Sequence, residues 1–400
     1  MQKNRSLLSW ALLPGIVLLF CAGLQGADEK KGPLNFLLIT VDDMNWDSLG
    51  VNGCKVAGVS PNIDRLASQG LLFNHAHVTI AVCMPTRAVW MTGRYPHRSG
   101  ALGFQKINPG VPTLLEALKK AGYHTGILAK VPHVVPSRGK SWDLVLQARE
   151  LGVGRDPALF AEHSGKFFAA AKASGKPFFL MANSQSPHRP FANSKQGAAR
   201  KKANPKKKKK ASNFPVVENP YKPGDIPVPG FLPPLDKIKT EMAQYYTSVR
   251  RADRITGAVL EELDKAGLAD NTLVMFLSDH GMPLPFAKTN CYYHSTRTPW
   301  IVRLPGVTKP GSVDRKNMVS GIDLTPTVLD ILGLKPLEGM DGRSFRPLLG
   351  GKEQSGRDRV FTHFHRTAGR RDYPMRSLLT PRWGYIYNGW ADGKMVFKNE

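Results

Sequence analysis

The feature that most restricts the fold of this chain is a series of short apolar segments, each followed by charged or polar residues. The first segment runs from Asn35 to Thr40 and leads into Asp42 and Asp43. Its hydrophobicity is continuous rather than alternating, which predicts a strand buried on both faces, as in a parallel sheet. Ligand sites of open α/β sheets lie at the carboxyl ends of such strands. Three later segments repeat the pattern: 123–128 before Lys130, 177–181 before His188, and 272–277 before Asp279 and His280.

Helices are predicted between these strands. Ser60 and Pro61 begin one helix that ends at Gly70, a second spans 112–121, and a long amphipathic helix spans 235–266. Strands that alternate with helices indicate the α/β class, here a sandwich with a large, mostly parallel central sheet flanked by helices. Short strands predicted at 359–364 and 383–387 indicate, in addition, part of a small C-terminal sheet subdomain.

The domain organisation follows from these patterns. We expect a signal peptide over residues 1–27, one large α/β domain over 28–346, and the start of a C-terminal subdomain over 347–400. Lysine, proline and asparagine replace the regular pattern at 193–234, which indicates a lysine-rich inserted loop. The chain ends abruptly at Glu400, so truncation of a longer protein is an open alternative.

The N-terminal segment predicts the cellular location. Lys3 and Arg5 precede an apolar run from Leu7 to Leu19, and small residues follow up to Ala27. This pattern is typical of a secretory signal peptide. We therefore expect a periplasmic or secreted protein with no stable membrane span after signal cleavage. A single membrane anchor is the alternative, although the apolar run is short for a bilayer.

The charge of the chain is strongly positive, with a formal net value of +25. The window 195–210 supplies nine of the positive charges, at Lys195, Arg200, Lys201, Lys202 and Lys206 to Lys210. This run is interpreted either as a solvated surface loop or as a tether for a polyanionic polysaccharide. Nucleic acid is not an expected partner, because interleaved aromatic residues and a recognised binding motif are missing. A signal peptide would also direct the protein away from cellular nucleic acid.

The cysteines do not indicate a disulfide framework. Of the four, Cys21 lies in the predicted signal peptide, and Cys54, Cys83 and Cys291 are widely spaced. Cys83 begins the stretch Cys83-Met84-Pro85-Thr86-Arg87. A short helix is predicted from Pro85 to the residue before Gly93, which puts Cys83 at a helix N-terminus, where anions are stabilised. A small buried thiol is the alternative interpretation.

The stretch from Cys83 to Arg87 resembles the Cys-x-Pro-x-Arg signal of the sulfatases, formylglycine-dependent enzymes of the alkaline-phosphatase-like superfamily. In that family the cysteine is oxidised after synthesis to formylglycine. The hydrate of this aldehyde carries two hydroxyls on one carbon. One hydroxyl can attack sulfur, and the other can later lose its proton to expel sulfate and restore the carbonyl.

The resemblance extends from about residue 34 to the end of the chain. It includes the segments 60–67, 91–97, 122–130 and 271–281. Within the family the chain looks most similar to the heparan N-sulfatases. Four segments carry this second resemblance: Ser278 to Pro285, Lys288-Thr289-Asn290, Pro187-His188-Arg189, and Tyr373 to Ser377.

The resemblance implies a set of site residues. Asp42, Asp43, Asp279 and His280, with the modified Cys83, would hold one Ca²⁺ ion, which prefers hard oxygen ligands; Mn²⁺ or Mg²⁺ are alternatives, because imidazole is a softer ligand. The implied catalytic roles are for Arg87 and Lys130 to steady the formylglycine hydroxyls, for His133 to act as base, and for His188 and Lys288 to flank the leaving group. His363, His365 and Arg376 are weaker candidates for contacts with the sugar.

Four positions depart from the usual pattern of the family. Thr86 stands where serine is commonest, and His280 where many relatives have asparagine. One extra residue separates Lys130 from His133, which weakens the assignment of His133. Tyr293 replaces a glutamate of many O-sulfatases, which favours the N-sulfatase interpretation.

The resemblance thus predicts a hydrolase that removes sulfate from a sulfated glycan, with a heparan-like N-sulfoglucosamine as the favoured substrate. Its partners would be the sulfated saccharide and a formylglycine-generating maturation enzyme. The alternatives are an O-sulfatase acting on aryl or carbohydrate esters, a phosphodiester or phosphonate hydrolase using the same aldehyde, and a non-catalytic polyanion-binding protein.

Overall fold

The computed structural model describes residues 32–134, 141–197, 215–366, 371–392 and 394. The predicted signal peptide and the basic residues from Arg200 to Lys210 lie outside the described residues. Within the described part, no helix combines the length and the apolar character needed to cross a membrane.

The main body is built on one eight-stranded sheet, with the strand order β4-β3-β5-β1-β6-β7-β2-β8. All neighbours are parallel except β7, which is antiparallel to both β6 and β2. The predicted large, mostly parallel sheet is thereby confirmed. The strands are β1 Asn35–Asp42, β2 Leu71–His77, β3 His124–Leu128, β4 Leu144–Leu146, β5 Phe178–Pro187, β6 Thr272–Ser278, β7 Trp300–Arg303 and β8 Ser312–Ser320.

Strand β1 is central and buried along its whole length. It pairs in parallel with β5 on one side and with β6 on the other, so that Leu37 lies opposite Leu180 and Val274. On the outer side of β5, β3 also runs parallel. The carboxyl ends of β3, β5, β1 and β6 are therefore adjacent at one edge of the sheet, as the sequence pattern predicts.

Ten helices are described. They are α1 Pro61–Ser68, α2 Cys83–Thr92, α3 Pro96–Ser99, α4 Leu114–Lys120, α5 Val131–Val134, α6 Pro157–Ser174, α7 Asp236–Lys265, α8 Tyr293–Thr296, α9 Leu324–Ile331 and α10 Arg346–Leu349. Short 3₁₀ turns occupy Trp46–Ser48, Gly50–Asn52, Ala148–Leu151, Pro223–Asp225, Ala269–Asn271 and Gly321–Asp323.

Helices cover both faces of the sheet because successive residues of β1 point to opposite sides. Leu37 and Ile39 belong to one apolar core, shared with α1, α6 and α7. Phe36 and Leu38 belong to a second core, shared with α2, α4 and α9. This three-layer arrangement is the predicted sandwich.

A second, smaller sheet follows the main body. It contains β9 Val360–Arg366, β10 Asp372–Leu379 and β11 Gly384–Asn388, in the antiparallel order β11-β10-β9. The sequence predicted β9 and β11 but not the middle strand β10. Proline is unfavourable within a strand interior, and Pro374 lies where the register between β9 and β10 shifts, from Asp372 to Met375.

Candidate active site

The polar residues at the strand ends converge as expected. Asp42 ends β1 and Asp43 follows it, His188 follows β5, and Asp279 follows β6. Lys130 lies two residues beyond β3. Two of these residues, Asp43 with φ 68° and Lys130 with φ 53°, adopt the left-handed conformation, as does Ala129 with φ 58°. Such backbone is uncommon for residues other than glycine and is often found at functional sites.

The centre of the site is a group of four possible metal ligands. One ligand atom from each of Asp42, Asp43, Asp279 and His280 lies within 4.8 Å of the others, and all four residues are fully buried. Cys83 belongs to a second such group with Asp42 and His280. Three carboxylates and one imidazole form a donor set that suits a divalent cation.

The histidine of this group gives an independent test of whether a cation fits. Nδ1 of His280 lies 3.0 Å from the carbonyl oxygen of Gly281, which can only accept, so Nδ1 carries a proton. In the neutral ring, Nε2 then bears the lone pair. It faces Asp43 Oδ1 at 3.0 Å and Asp279 Oδ1 at 3.6 Å, and it has no hydrogen-bond partner among the described residues. A cation between these acceptors would relieve their repulsion.

The pKa values of the carboxyl groups lead to the same conclusion. Burial and the neighbouring Asp42 raise the pKa of Asp279 well above its usual range. Burial also raises the pKa of Asp42, but Lys130, a hydrogen bond with Asp279, and Arg87 outweigh it and hold that pKa well below its usual range. Adjacent carboxyl groups resist joint ionisation unless positive charge is added. The site therefore favours a bound cation.

Arg87 is buried between β1, β5 and β6. Its Nη1 donates to Thr40 Oγ1 at 2.9 Å and to Asn183 Oδ1 at 2.7 Å. Its Nε and Nη2 both donate to Asp279 Oδ2, at 3.2 and 2.9 Å. The guanidinium is thus held in one orientation and cannot leave the site without breaking a buried ion pair.

Two lysines complete the charge balance. Lys130 forms an ion pair with Asp42. Lys288 Nζ lies 3.2 and 3.1 Å from the two carboxylate oxygens of Asp43. Burial lowers the pKa of Lys288, but Asp43 outweighs it and the net pKa is raised. Lys288 is therefore cationic at neutral pH.

Cys83 is the first residue of α2 and is only 4% exposed. Its position at a helix N-terminus, beside a possible metal group, is the one that the sequence predicts. The hydroxyl of Thr86 in the same helical turn donates to the carbonyl oxygen of Ile80. A serine hydroxyl could make the same bond. Thr86 therefore keeps the contact that the more common serine would make.

His188 and His133 lie in different surroundings. His188 Nε2 lies 3.9 Å from Asp43 Oδ2, and its Nδ1 donates to the carbonyl oxygen of Arg189 at 2.5 Å. Burial lowers the pKa of His188, although Asp43 opposes this. His133 lies on α5 with its ring edge-on to Phe104 at 5.9 Å, and burial together with Lys130 lowers its pKa to about 3. Both rings are therefore neutral at pH 7.

A cleft of about 810 Å³ opens beside the metal group. Asp43, His188 and Lys288 line its charged end. Further lining residues are Arg189, Glu241, Phe286, Tyr292, Met375, Ile386 and Trp390. The side chains of the small sheet therefore form one wall of the cleft.

The three weaker candidates for sugar contacts lie outside this cleft. His363 is buried, with its ring 6.0 Å from Tyr95 and 5.9 Å from His97. His365 approaches Asp372 at 4.0 Å. Arg376 is exposed and donates to the carbonyl oxygen of Met375 at 2.8 Å. The cleft is lined by other residues of the same sheet.

Several residues at the site were missed by the sequence reasoning. Thr40 and Asn183 hold Arg87, and each is the first polar residue after an apolar run in its buried strand, which is a signal that could have been used. Glu241 lies on a long helix with many charged residues and gives no such signal. Phe286 and Tyr292 follow the segment that ends in Asp279 and His280, but the sequence does not indicate that their rings are exposed.

Comparisons with known proteins agree with this geometry. Residues 34–334 match the sulfatase family. The chain is 31% identical over 396 residues to the human N-sulphoglucosamine sulphohydrolase, an alignment that covers 90% of this chain and 74% of the human protein.

Two solved structures share the fold at lower identity. BT4656, in complex with its substrate D-glucosamine-2-N,6-O-disulfate, superposes with a TM-score of 0.69 at 19% identity, over 88% of each chain. The phosphonate monoester hydrolase of Agrobacterium radiobacter superposes with a TM-score of 0.66 at 20% identity, over 89% of each chain. Likeness at this level shows the fold alone, because one fold serves several chemistries.

The fold and the family match define the class of protein as a hydrolase of sulfuric esters or sulfamates. More particularly, the chain belongs to the sulfatase family. Enzymes of this family generally depend on formylglycine and a metal ion, and the buried group around Asp42 offers a possible site for that ion.

Proposed function

We propose that this chain removes sulfate from a sulfated saccharide, with an N-sulfoglucosamine unit of a heparan-like glycan as the favoured substrate, and that residue 83 acts as formylglycine. One observation carries the proposal: Cys83 starts a helix and has its sulfur within 4.8 Å of ligand atoms of both Asp42 and His280. The similarity to the human N-sulphoglucosamine sulphohydrolase supports the choice of substrate.

The metal in this proposal is Ca²⁺, held by Asp42, Asp43, Asp279 and His280, with Mn²⁺ and Mg²⁺ as alternatives. When bound, a divalent cation supplies positive charge that offsets the sulfate and polarises its oxygens. Arg87 fixes the orientation of Asp279 through two hydrogen bonds to the same oxygen. The Asp279 carboxylate is therefore oriented before any cation binds.

The hydrate of formylglycine would supply one hydroxyl for attack on sulfur and a second whose deprotonation restores the aldehyde. Arg87 and Lys130 place fixed positive charge near residue 83 and would stabilise an alkoxide there. His133, which is neutral at pH 7, would accept the proton of the second hydroxyl. The low pKa of His133 makes it a weak base, so proximity must contribute to this role.

His188 and Lys288 would act at the leaving group. Both line the charged end of the cleft. The Nδ1 proton of His188 is held by the Arg189 carbonyl, which leaves Nε2 directed toward Asp43. Lys288 carries a proton at neutral pH and would deliver it to the departing nitrogen or oxygen, while His188 accepts hydrogen bonds from the sugar.

We also propose the maturation route that this chemistry requires. Residues 1–27 would act as a signal peptide, directing the protein to the periplasm or the exterior. A formylglycine-generating enzyme would convert Cys83. The catalytic α/β domain would span 28–346, and residues 347–400 would start the C-terminal subdomain.

The test is an assay of the converted protein against defined saccharides that differ only in the position of one sulfate. Release of free sulfate from an N-sulfated glucosamine, with slower release from O-sulfated isomers, is the expected result. Mass spectrometry of the peptide that contains residue 83 should detect the aldehyde or its hydrate. A Cys83→Ala variant is the control and should release no sulfate.

Other outcomes of the same assay select the alternatives. Preference for an O-sulfated isomer would assign an O-sulfatase. Cleavage of a phosphodiester or phosphonate with no sulfate release would assign the chemistry of the Agrobacterium radiobacter enzyme, whose fold this chain shares. An unmodified thiol in protein from the native host, with saccharide binding but no turnover, would favour a binding protein.

A further inference from the structure

The loop after β6 displays two aromatic side chains in the cleft. Phe286 is 53% exposed and Tyr292 is 47% exposed, and their ring centroids are 5.9 Å apart at an angle of 58°. Both residues line the same cleft as Asp43 and His188. Aromatic residues usually bury most of their surface, so an exposed pair inside a cleft indicates a ligand surface.

The backbone of Phe286 adds a second observation. Its φ of 65° lies in the left-handed region, which is strained for a bulky residue. The hydroxyl of Ser295 donates to the Phe286 carbonyl at 3.0 Å and holds the loop in this conformation. Glycine would adopt the same φ without strain. The presence of phenylalanine therefore indicates a use for its ring.

The pair lies next to the charged end of the cleft. Lys288, which contacts Asp43, is two residues after Phe286 and four before Tyr292 in the same loop. Met375 and Ile386 of the small sheet, and Trp390 just after it, line the cleft as well and give it further apolar surface. A matching ligand carries an anionic group at one end and an apolar face beside it.

The chemistry of this cleft fits a pyranose ring better than a small anion. The C–H groups of a pyranose form an apolar face that packs on aromatic rings, and its hydroxyls form a polar edge. Arg189, Glu241 and Asn290 line the same cleft and can bond such an edge. Inorganic sulfate or a short alkyl sulfate fills the charged end alone.

We propose that Phe286 and Tyr292 form a stacking platform for the sugar ring that carries the scissile sulfate, and that they determine specificity for saccharides. The inference rests on the proposed function, because it takes the charged end of the cleft as the position of the sulfate. The two rings bind substrate and take no part in proton transfer. Their loss changes affinity more than turnover.

The test compares steady-state kinetics of the converted wild type with Phe286→Ala and Tyr292→Ala on a monosulfated monosaccharide. Each variant is expected to raise KM about 5- to 10-fold with kcat within twofold, the range that a lost aromatic contact gives. Inhibition by inorganic sulfate, which uses only the charged end, should keep its Ki. Phe286→Tyr retains a ring and should keep KM near the wild-type value.

Two controls separate stacking from folding. Phe361 is similarly exposed, at 51%, but lies on β9 and does not line the cleft, so Phe361→Ala should leave KM unchanged. Phe286→Gly removes the ring and relieves the left-handed strain, so it should fold at least as well as Phe286→Ala and show the same rise in KM.

Each result is decisive. An active wild type whose KM is unaffected by Phe286→Ala and Tyr292→Ala, or a wild-type KM in Phe286→Gly, overturns the platform while the proposed function stands. A higher Ki for sulfate in parallel with KM also overturns it, since the charged end would then have been disturbed. A wild type that releases no sulfate from any saccharide overturns the proposed function, and the platform with it.

Discussion

The two ends of the cleft are built in different ways. The charged end consists of Asp43, which is buried and directly follows the central strand β1, and of the half-buried His188 and Lys288; Lys288 forms an ion pair with Asp43. The apolar end consists of the exposed rings of Phe286 and Tyr292 and of side chains from the small sheet, such as Ile386. We infer that the two ends have different roles. The charged end performs the chemistry that every substrate shares, and the apolar end selects the substrate.

The strongest test of this division is Asp279→Asn, which removes one carboxylate from the metal group. We expect sulfate release to fall by roughly 10³-fold or more, because a metal ion supplies several kcal/mol of charge stabilisation. Metal content of the purified protein, measured by mass spectrometry, should fall in parallel. Asp270→Asn is the matched control, since Asp270 is exposed and lies just before the opposite end of the same strand. An Asp279→Asn protein with full metal content and full activity would contradict the assignment.

A smaller loss is expected from Lys130→Ala. This change removes the cation paired with Asp42 and the positive charge near residue 83. We expect kcat to fall about 10²- to 10³-fold, similar to the loss of one stabilising donor, with KM nearly unchanged. Lys130→Arg should recover part of kcat because it keeps the charge. If KM rose instead while kcat held, Lys130 would belong to substrate binding, and the division between the two ends would fail.

The small sheet offers a test that concerns stability. Burial, with Arg376 and His97, lowers the pKa of His363 to about 3 from the usual 6.5. The unfolded chain therefore takes up the proton first, and stability falls as the pH drops from 6.5 toward 3. Between pH 7 and pH 5 this histidine alone should lower the free energy of unfolding by about 2 kcal/mol. His363→Phe cannot be protonated, so urea unfolding at the two pH values should show a smaller difference than in the wild type; equal differences would show that His363 is solvated.

The smallest effect on catalysis is expected from the lysine-rich run. Replacing the eight basic residues Arg200, Lys201, Lys202 and Lys206 to Lys210 by glutamine should lower the salt concentration that elutes the protein from a heparin column. Turnover of a monosaccharide should not change, because such a substrate reaches only the cleft. Retention that is unaffected by the replacement would remove the tether interpretation.

The sequence predicted the sheet and the convergence at its edge because each of these features is local. Asp42 directly ends an apolar run, and Asp279 directly follows one, so parallel pairing alone brings them together. Phe286 and Tyr292 are different. Their exposure depends on how an irregular loop packs against β10 and β11, and no periodic pattern encodes that packing.

Two other features could not be read from the sequence for related reasons. Strand β10 contains Pro374, which has no backbone N–H to donate, and only the residues after it, Met375 to Leu379, pair with both β9 and β11. Tyr293, which replaces a glutamate of many O-sulfatases, bonds Arg297 and packs edge-on against Trp46. The residue that the sequence pattern presents as a change of chemistry is thus also part of a half-buried aromatic contact.

The position of β1 in the centre of the sheet has a consequence for how the protein loses its structure and activity on heating. Its amide protons are covered on both faces and bonded on both sides, so they should exchange with solvent only when the whole domain unfolds. Asp42 and Asp43 are therefore carried by the most slowly exchanging part of the chain. On heating, catalytic competence and global structure should be lost at the same temperature, whereas an enzyme with its ligands on loops loses activity first.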